Sequence, residues 1–341
     1  MVECVFTLDY EIYGNGDGSL QEHVFQPANE LSRIFDAADA KLVIFVEAAE
    51  LEMLEISGNE PAIEMIKTQI QAMYRRGHEI ALHLHPQWYN ARKLGGQWEL
   101  DYSEYNLCLL SRERIEQLVD RSIAWLRTAI GDSGYTPLSF RAGNWLLQPT
   151  RFITPVLTSR GIKIDSSVFK GGYQSRHRLD YRAACRNGWF WRFSDDVCVT
   201  DLDGELLELP IYTERVPFWR MLTLKRVELQ QRRRKVKLQG RTTGLRWDTG
   251  RIFDRLRWYY PMKFDFCRMT LAESTAMLDR VLCEDAQTPR VYKPVVAIGH
   301  TKDLVDPKTV AAFLAWLRQR SIPITTLACA NQNCANRAIL S

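Results

Sequence analysis

Short apolar runs that end abruptly in charged or polar residues recur along this chain. V-E-C-V-F-T-L-D covers Val2 to Asp9, K-L-V-I-F-V-E covers Lys41 to Glu47, and H-E-I-A-L-H-L-H covers His78 to His85. P-L-S-F-R (Pro137 to Arg141), I-K-I-D (Ile162 to Asp165), E-L-L-E-L-P (Glu205 to Pro210) and P-V-V-A-I-G-H (Pro294 to His300) continue the series. I-P-I-T-T-L supplies a last strand. Such runs predict strands buried on both faces, the habit of parallel sheets. Segments with helical spacing lie between them. Pro61 to Arg76 puts Ile63, Ile66, Ile70 and Met73 on one face and stops at Gly77. Arg112 to Ile130 stops at Gly131, and Thr150 to Arg160 stops at Gly161. Leu271 to Cys283 and Pro307 to Arg318 are two more helices. Asn187 to Asp201 alternates like a hairpin, and the tail beyond Leu327 is expected to be irregular. Alternating strand and helix predict an α/β fold with a parallel sheet or barrel, formed as one domain over residues 1–341.

Composition narrows the class. An apolar share of 46% suits a globular protein with a sizeable core. No run approaches the roughly 18 apolar residues of a membrane span. The start of the chain lacks a basic n-region, so no signal peptide is expected. Eight cysteines, most of them in apolar surroundings and none in a C-x-x-C pair, point to a reduced, cytoplasmic protein. The net charge of +4 hides an asymmetry: residues 211–268 carry 16 Lys/Arg against 5 Asp/Glu, and the rest is net acidic. Parts of this segment, with Ile252, Phe253, Leu256 and Tyr260 near one face, predict a basic, largely helical insertion. It reads as a solvated helical hairpin, or as a surface for anionic lipid or a lipid-phosphate-linked glycan. Nucleic acid fits poorly, because no recognition motif accompanies the charge.

The strand ends carry the chemistry. Asp9 and Glu11 are two apart, so a strand end turns both to one side. One can bind a metal while the other acts as a base; the alternative is a solvated strand end. His83 and His85 repeat that geometry and are candidate metal ligands. His78 lies at the opposite end of the same strand and is excluded. Arg141 ends its strand after apolar residues and needs a carboxylate partner, for which Asp9 is the expectation. Gly143 would permit close backbone approach to a ligand. His300 ends one of the most apolar runs, and Asp165, or alternatively Asp303, would orient it and raise its pKa. Trp88 and Trp145 are candidate sugar-stacking walls, whereas Trp189 and Trp191 read as core. The Gly14–Gly18 loop has no phosphate-loop or EF-hand spacing.

T-L-D-Y-E, A-L-H-L-H-P, S-F-R-A-G-N-W and A-I-G-H-T-K-D, in that order, resemble the polysaccharide deacetylases of carbohydrate esterase family 4, the NodB-homology group. The resemblance is closer to an atypical branch associated with bacterial surface-polysaccharide biosynthesis. It implies a distorted (β/α)7 barrel and a divalent metal, usually zinc. The activity it implies is removal of an N-acetyl, or N-formyl, group from an amino sugar. Asp9 would be the base, Glu11 and His83 metal ligands, Arg141 the brace of the base, and His300, protonated, the acid for the leaving amine. There are departures. Tyr10 stands where the family has its second aspartate, and R-A-G replaces R-x-P. Position 87, where the family has its second metal histidine, is Gln87, leaving His85, Gln87 or a water to complete the site. A non-catalytic carbohydrate binder on a degenerate barrel is the rival reading. A hydrolase or glycosidase working through two carboxylates is a third. A location at the inner face of the membrane would suit the basic insertion.

Overall fold

The computed structural model describes residues 1–185, 190–221 and 258–338, with 224, 227, 228 and 231 from the interval between. The apolar runs become β1 (Val2–Tyr10), β2 (Val43–Glu47) and β3 (Glu79–Leu84). A small ribbon, β4 (Arg92–Leu94) with β5 (Gln97–Glu99), follows. Then come β6 (Ser139–Ala142) and β7 (Ile164–Asp165), and a second ribbon of β8 (Tyr173–Gln174) and β9 (Leu179–Asp180). The chain continues through β10 (Trp191–Phe193), β11 (Leu206–Glu208), β12 (Thr213–Pro217), β13 (Tyr259–Lys263), β14 (Lys293–His300) and β15 (Ile324–Thr325).

Strands β11, β7, β6, β3, β2, β1 and β14 lie side by side in that order, all parallel. β10 adds antiparallel to β11, and β15 pairs with Cys4 and Val5 of β1. Single bridges Ile211–Val296 and Asp265–Ile298 carry the sheet from beyond β11 back to β14. The result is a curled, distorted (β/α) barrel. A parallel barrel collects its strand C-termini on one rim, which brings remote residues together. The register does this directly: Asp9 pairs with His300, Glu47 with His83, and His83 with Arg141.

Helices cover the outer face. Arg112–Ile130 is capped by Ser111, whose side chain accepts from Arg114 N, and ends on Gly131 at φ 77°. Leu271–Gln287 begins with a capping box of Thr270 and Glu273. The packed layer between β1 and its helices is aromatic, with Phe6 edge-on to Phe35 (5.2 Å), Phe266 (5.3 Å) and Phe313 (6.1 Å). Trp191 is buried, as expected of a core residue. Four of the eight cysteines are buried, fewer than the sequence suggested.

Three expectations need correction. Trp191–Phe193 does not pair within Asn187–Asp201; its partner is Leu206–Glu208. The intervening turn is closed by Asx-type bonds, such as Asp196 Oδ1 accepting from Cys198 N, that suit loop better than strand. The tail is not irregular: Leu327–Ala338 is a helix that buries Leu327, Ala330 and Cys334 in one apolar cluster with Val5, Val43 and Ala81, on the inner sheet face that also carries Asp9 and His83. The outer ends of the basic segment pair as β12 and β13, so Tyr260 lies on a strand rather than a helix, whereas its described inner positions, Phe218–Met221 and residues 224, 227, 228 and 231, are helical as expected. Its predicted helical positions Ile252, Phe253 and Leu256, and Trp189, lie outside the described residues. Two further helices complete the layer: Gln26–Ala37, which carries Ala28, Leu31 and Phe35 at helical spacing, and Ala48–Ile56, which periodicity does not signal. No helix among the described residues is long and apolar enough to cross a membrane.

Candidate active site

At the C-terminal rim, Glu11, His83 and His85 converge. Glu11 Oε2 lies 3.1 Å from His85 Nε2 and 3.6 Å from His83 Nε2, and the two Nε2 atoms are 3.1 Å apart. A tetrahedral zinc ion with bonds of about 2.0–2.2 Å holds its ligand atoms roughly 3.3–3.5 Å apart. The three atoms fit such an ion. The tautomers are set from behind. His83 Nδ1 sits 2.9 Å from the Arg141 carbonyl, so it donates there and leaves the Nε2 lone pair facing Glu11. His85 Nδ1 faces the Gln87 side-chain amide at 3.1 Å and that of Asn144 at 3.2 Å. The Gln87 carbonyl oxygen is buried without a partner. Turned about its last torsion, that amide accepts from His85 Nδ1–H and frees Nε2 for a cation. Gln87 therefore lies behind His85 rather than among the candidate ligands. Asp9, Glu11 and His300 form a second, overlapping group able to hold an ion.

The charges are arranged to keep the acids ionised. Burial alone would raise Glu11; Lys302, His85 and His83 outweigh it and hold the carboxyl well below its ordinary value. Lys302 Nζ reaches Glu11 Oε1 at 2.7 Å and the Ile12 carbonyl at 2.7 Å, leaving Oε2 for the histidines. Burial also works against Asp9, and Arg141, His83 and His300 pull it below the usual carboxylate range. For His83, burial lowers the pKa, but Asp9 and Glu11 win and lift it to about 9. With no cation bound, a proton on His83 balances this acidic cluster.

Arg141 is the expected partner of Asp9, at 2.5 Å between Nη1 and Oδ1. Its remaining donors go to Ser166 O (2.8 Å), Thr7 Oγ1 (2.9 Å) and Ser166 Oγ (3.1 Å), and its guanidinium lies 4.0 Å above the Phe45 ring. A fully buried guanidinium so satisfied is a rigid brace. Asp9 Oδ2 remains open and faces His300 Nε2 at 3.4 Å.

Several expected roles shift. Asp165 does not orient His300: it accepts from Ser167 N and Oγ (2.9 and 2.8 Å) and shares a hydrogen bond with Glu208. Asp303 is the nearer carboxylate, 3.7 Å from His300 Nδ1, but it is occupied by Arg268. His300 is not raised. Burial drives it down to about 3, and Arg268 and Lys302 offset the pull of Asp9 and Asp303, so it is neutral at pH 7. Gly143 makes room for protein rather than ligand, since a Cβ there would meet Leu84 O at 2.6 Å and the His85 ring at 2.7 Å. Trp88 is fully buried, edge-on to Trp98 at 5.3 Å, and offers no face to a sugar. Trp145 does stand at the site. It follows Asn144 into the left-handed region (φ 61° and 56°), a conformation that costs on the order of 1–3 kcal/mol per residue. That turn sets its indole edge-on to His300 at 6.0 Å.

Glu47 was not singled out in the sequence. Its carboxylate accepts from His85 N (2.8 Å) and Glu50 N (3.1 Å), while Glu50 accepts from Ile12 N (2.8 Å). Both acids thereby fix the strand ends that carry the candidate ligands. The signal was present, since K-L-V-I-F-V-E ends in charge like its neighbours.

No family model and no curated protein matches the sequence. Solved structures do. A protein assigned as a polysaccharide deacetylase from Mycobacterium smegmatis superposes with a TM-score of 0.54 at 15% identity, over 99% of this chain and 91% of that one. A 4-alpha-glucanotransferase from Thermococcus litoralis gives 0.51 at 13%, over 96% and 39%. PuuE allantoinase gives 0.50 at 11%, over 96% and 88%. The fold is thus the deacetylase-type (β/α) barrel, and the resemblance carried by the motifs extends to the architecture. Those three proteins bear the names of different reactions, so the barrel does not choose among them.

Proposed function

We propose that the chain is a metal-dependent hydrolase that removes an N-acetyl or N-formyl group from an amino sugar in bacterial surface-polysaccharide biosynthesis. The observation that carries this reading is the convergence of Glu11, His83 and His85 at ligand spacing beside the Asp9–Arg141 pair and His300. Glu11, His83 and His85 would hold a divalent cation, zinc in this reading, which when bound would supply Lewis-acid polarisation of the acyl carbonyl and make the attacking water more acidic.

The protein groups do the proton work. Asp9, kept ionised by Arg141, takes the proton of the attacking water on Oδ2, the oxygen Arg141 leaves open. His300 enters neutral, with Nε2 3.4 Å from Oδ2, so it can receive that proton and deliver it to the departing amine. This replaces the pre-protonated acid expected from the sequence. The test is acetate release from N-acetylated amino sugars by the metal-loaded chain. Asp9→Ala and His300→Ala should each lower the rate by about 10²–10⁴. An undiminished rate in either variant removes that residue from the scheme.

One observation favours the rival, non-catalytic sugar binder: Lys302 already gives Glu11 a cationic partner. Failure of the metal-stripped chain to bind Zn²⁺ would select it. The reading also places the protein in the cytoplasm, with residues 211–268 meeting anionic lipid or a lipid-phosphate-linked glycan at the inner membrane face. Salt-sensitive binding to phosphatidylserine vesicles is expected, and its absence would leave the segment a solvated surface.

A further inference from the structure

Lys263 has no place in the scheme above. It is the last residue of β13, and the backbone holds its position closely. Phe264 N donates to Tyr212 O (2.8 Å), Ile298 N to Phe264 O (2.8 Å), and Phe266 N to Ile298 O (2.9 Å). This ties β13 to β14 two residues before His300 and sets the lysine against the same rim. Its Nζ stands 3.1 Å from the centroid of the Trp145 ring and 4.5 Å from that of Phe169. Trp145 in turn packs edge-on against His300.

The ammonium makes these two aromatic contacts and, among the described residues, no hydrogen bond or ion pair. Beside it, the Trp145 indole N–H is buried without an acceptor. The nearby carboxylates face other groups: Asp9 pairs with Arg141 and turns Oδ2 towards His300, and Asp265 pairs with Arg268. Desolvation of this half-buried side chain, with Arg268 adding to it, pushes Lys263 down to about 7, so an oxyanion beside it would be what holds it fully charged at neutral pH. A cationic donor and an orphaned N–H at one wall of a site both lack an acceptor, and an anionic one would answer the charge as well as the hydrogen bonds. A neutral acetamide sugar could supply acceptor oxygens but no charge to set against the ammonium. Because the Lys263 ammonium covers one face of Trp145, sugar stacking on that face is blocked, and the indole serves as a support for the charge.

We propose that Lys263 is a specificity-determining residue that binds an oxyanion carried by the acylated sugar, a phosphate or a carboxylate, next to the acyl group. The identity of the remaining ligand rests on the acyl-sugar reading given above. The whole chain, as wild type, Lys263→Met and Lys263→Arg, is titrated calorimetrically with N-acetylglucosamine 1-phosphate, N-acetylmuramic acid and N-acetylglucosamine. The wild type should bind at least one anionic sugar about tenfold or more tightly than the neutral one, the size of one charge-assisted bond. Whether the phosphate or the carboxylate gains more identifies the oxyanion. Lys263→Met should erase the preference and Lys263→Arg should keep most of it. A wild-type chain that favours neither anionic sugar, or a Lys263→Met chain that keeps the preference, overturns the assignment. No turnover is needed. A preserved preference without hydrolysis removes the catalytic reading and leaves Lys263 standing, whereas hydrolysis without the preference removes only Lys263.

Discussion

Two clusters of buried acids sit at the C-terminal ends of the barrel strands and adopt opposite charge states. Asp9 and Glu11 are ionised. Asp165, at the end of β7, and Glu208, beside it at the end of β11, are both pushed above the usual carboxylate range by burial, which favours a proton held between them. Burial pushes all four carboxyls up, so burial does not explain the difference. Partners do. Asp9 has Arg141, and Glu11 has Lys302 and two imidazoles. Glu208 has the Val168 N–H and otherwise faces Asp165, and its second oxygen finds no donor, as expected of the oxygen that carries the shared proton. An ionised cluster faced by imidazole lone pairs can take up a cation. A protonated pair is a hydrogen-bonded strut under Arg141. Buried acids at a barrel rim are therefore not interchangeable evidence of catalysis.

The sharpest way to break this contrast is metal binding. His83→Ala should weaken Zn²⁺ binding to the metal-stripped chain by about a hundredfold or more, while Glu208→Gln should leave it unchanged. Equal losses in the two variants would show that the clusters are not separate. Next comes the brace. Arg141→Met leaves Asp9 buried and ionised without its partner, and the unfolding free energy in denaturant should fall by about 3–5 kcal/mol. Recovery of part of that loss in the Arg141→Met, Asp9→Asn double variant would assign it to the stranded charge; no recovery would assign it to packing on Phe45.

The smallest effect concerns the shared proton. The folded-state pKa of Glu208 is raised well above 4.5 by burial and by Asp165. Its contribution to stability is therefore fully present below its unfolded value and is lost as pH climbs through the folded one. Gln imitates the protonated acid at every pH. Glu208→Gln should flatten the fall in Tm between pH 5 and 8 and gain on the order of 2 °C at pH 8. Parallel pH profiles for the two chains would mean that no proton is shared.

Much of this was legible in the sequence, and for a local reason. Strands announce themselves by apolar runs, and Asp9, Glu11, His83, His85, Arg141 and His300 mark the ends of those runs. The Asp9–Arg141 pair follows from the cost of burying a guanidinium alone. Other assignments failed where they depended on neighbours remote in the chain. Trp88 sits under the Gly14–Gly18 loop, with a Cβ on Gly16 falling 3.6 Å from its ring, so an aromatic near a motif became core. Gly143 accommodates His85, and Asp165 found Glu208 instead of His300.

By itself, then, the sequence determined the alternation of strand and helix, the parallel barrel, and the identity of the polar residues delivered to its rim. Only the tertiary structure decided which oxygen faces which nitrogen, which acids keep their charge, that Gln87 and Glu47 stand behind the histidines, and that Lys263 reaches Trp145. Periodicity is a local property of the chain, whereas charge states and hydrogen-bond partners depend on distances and desolvation that exist only once the sheet has curled.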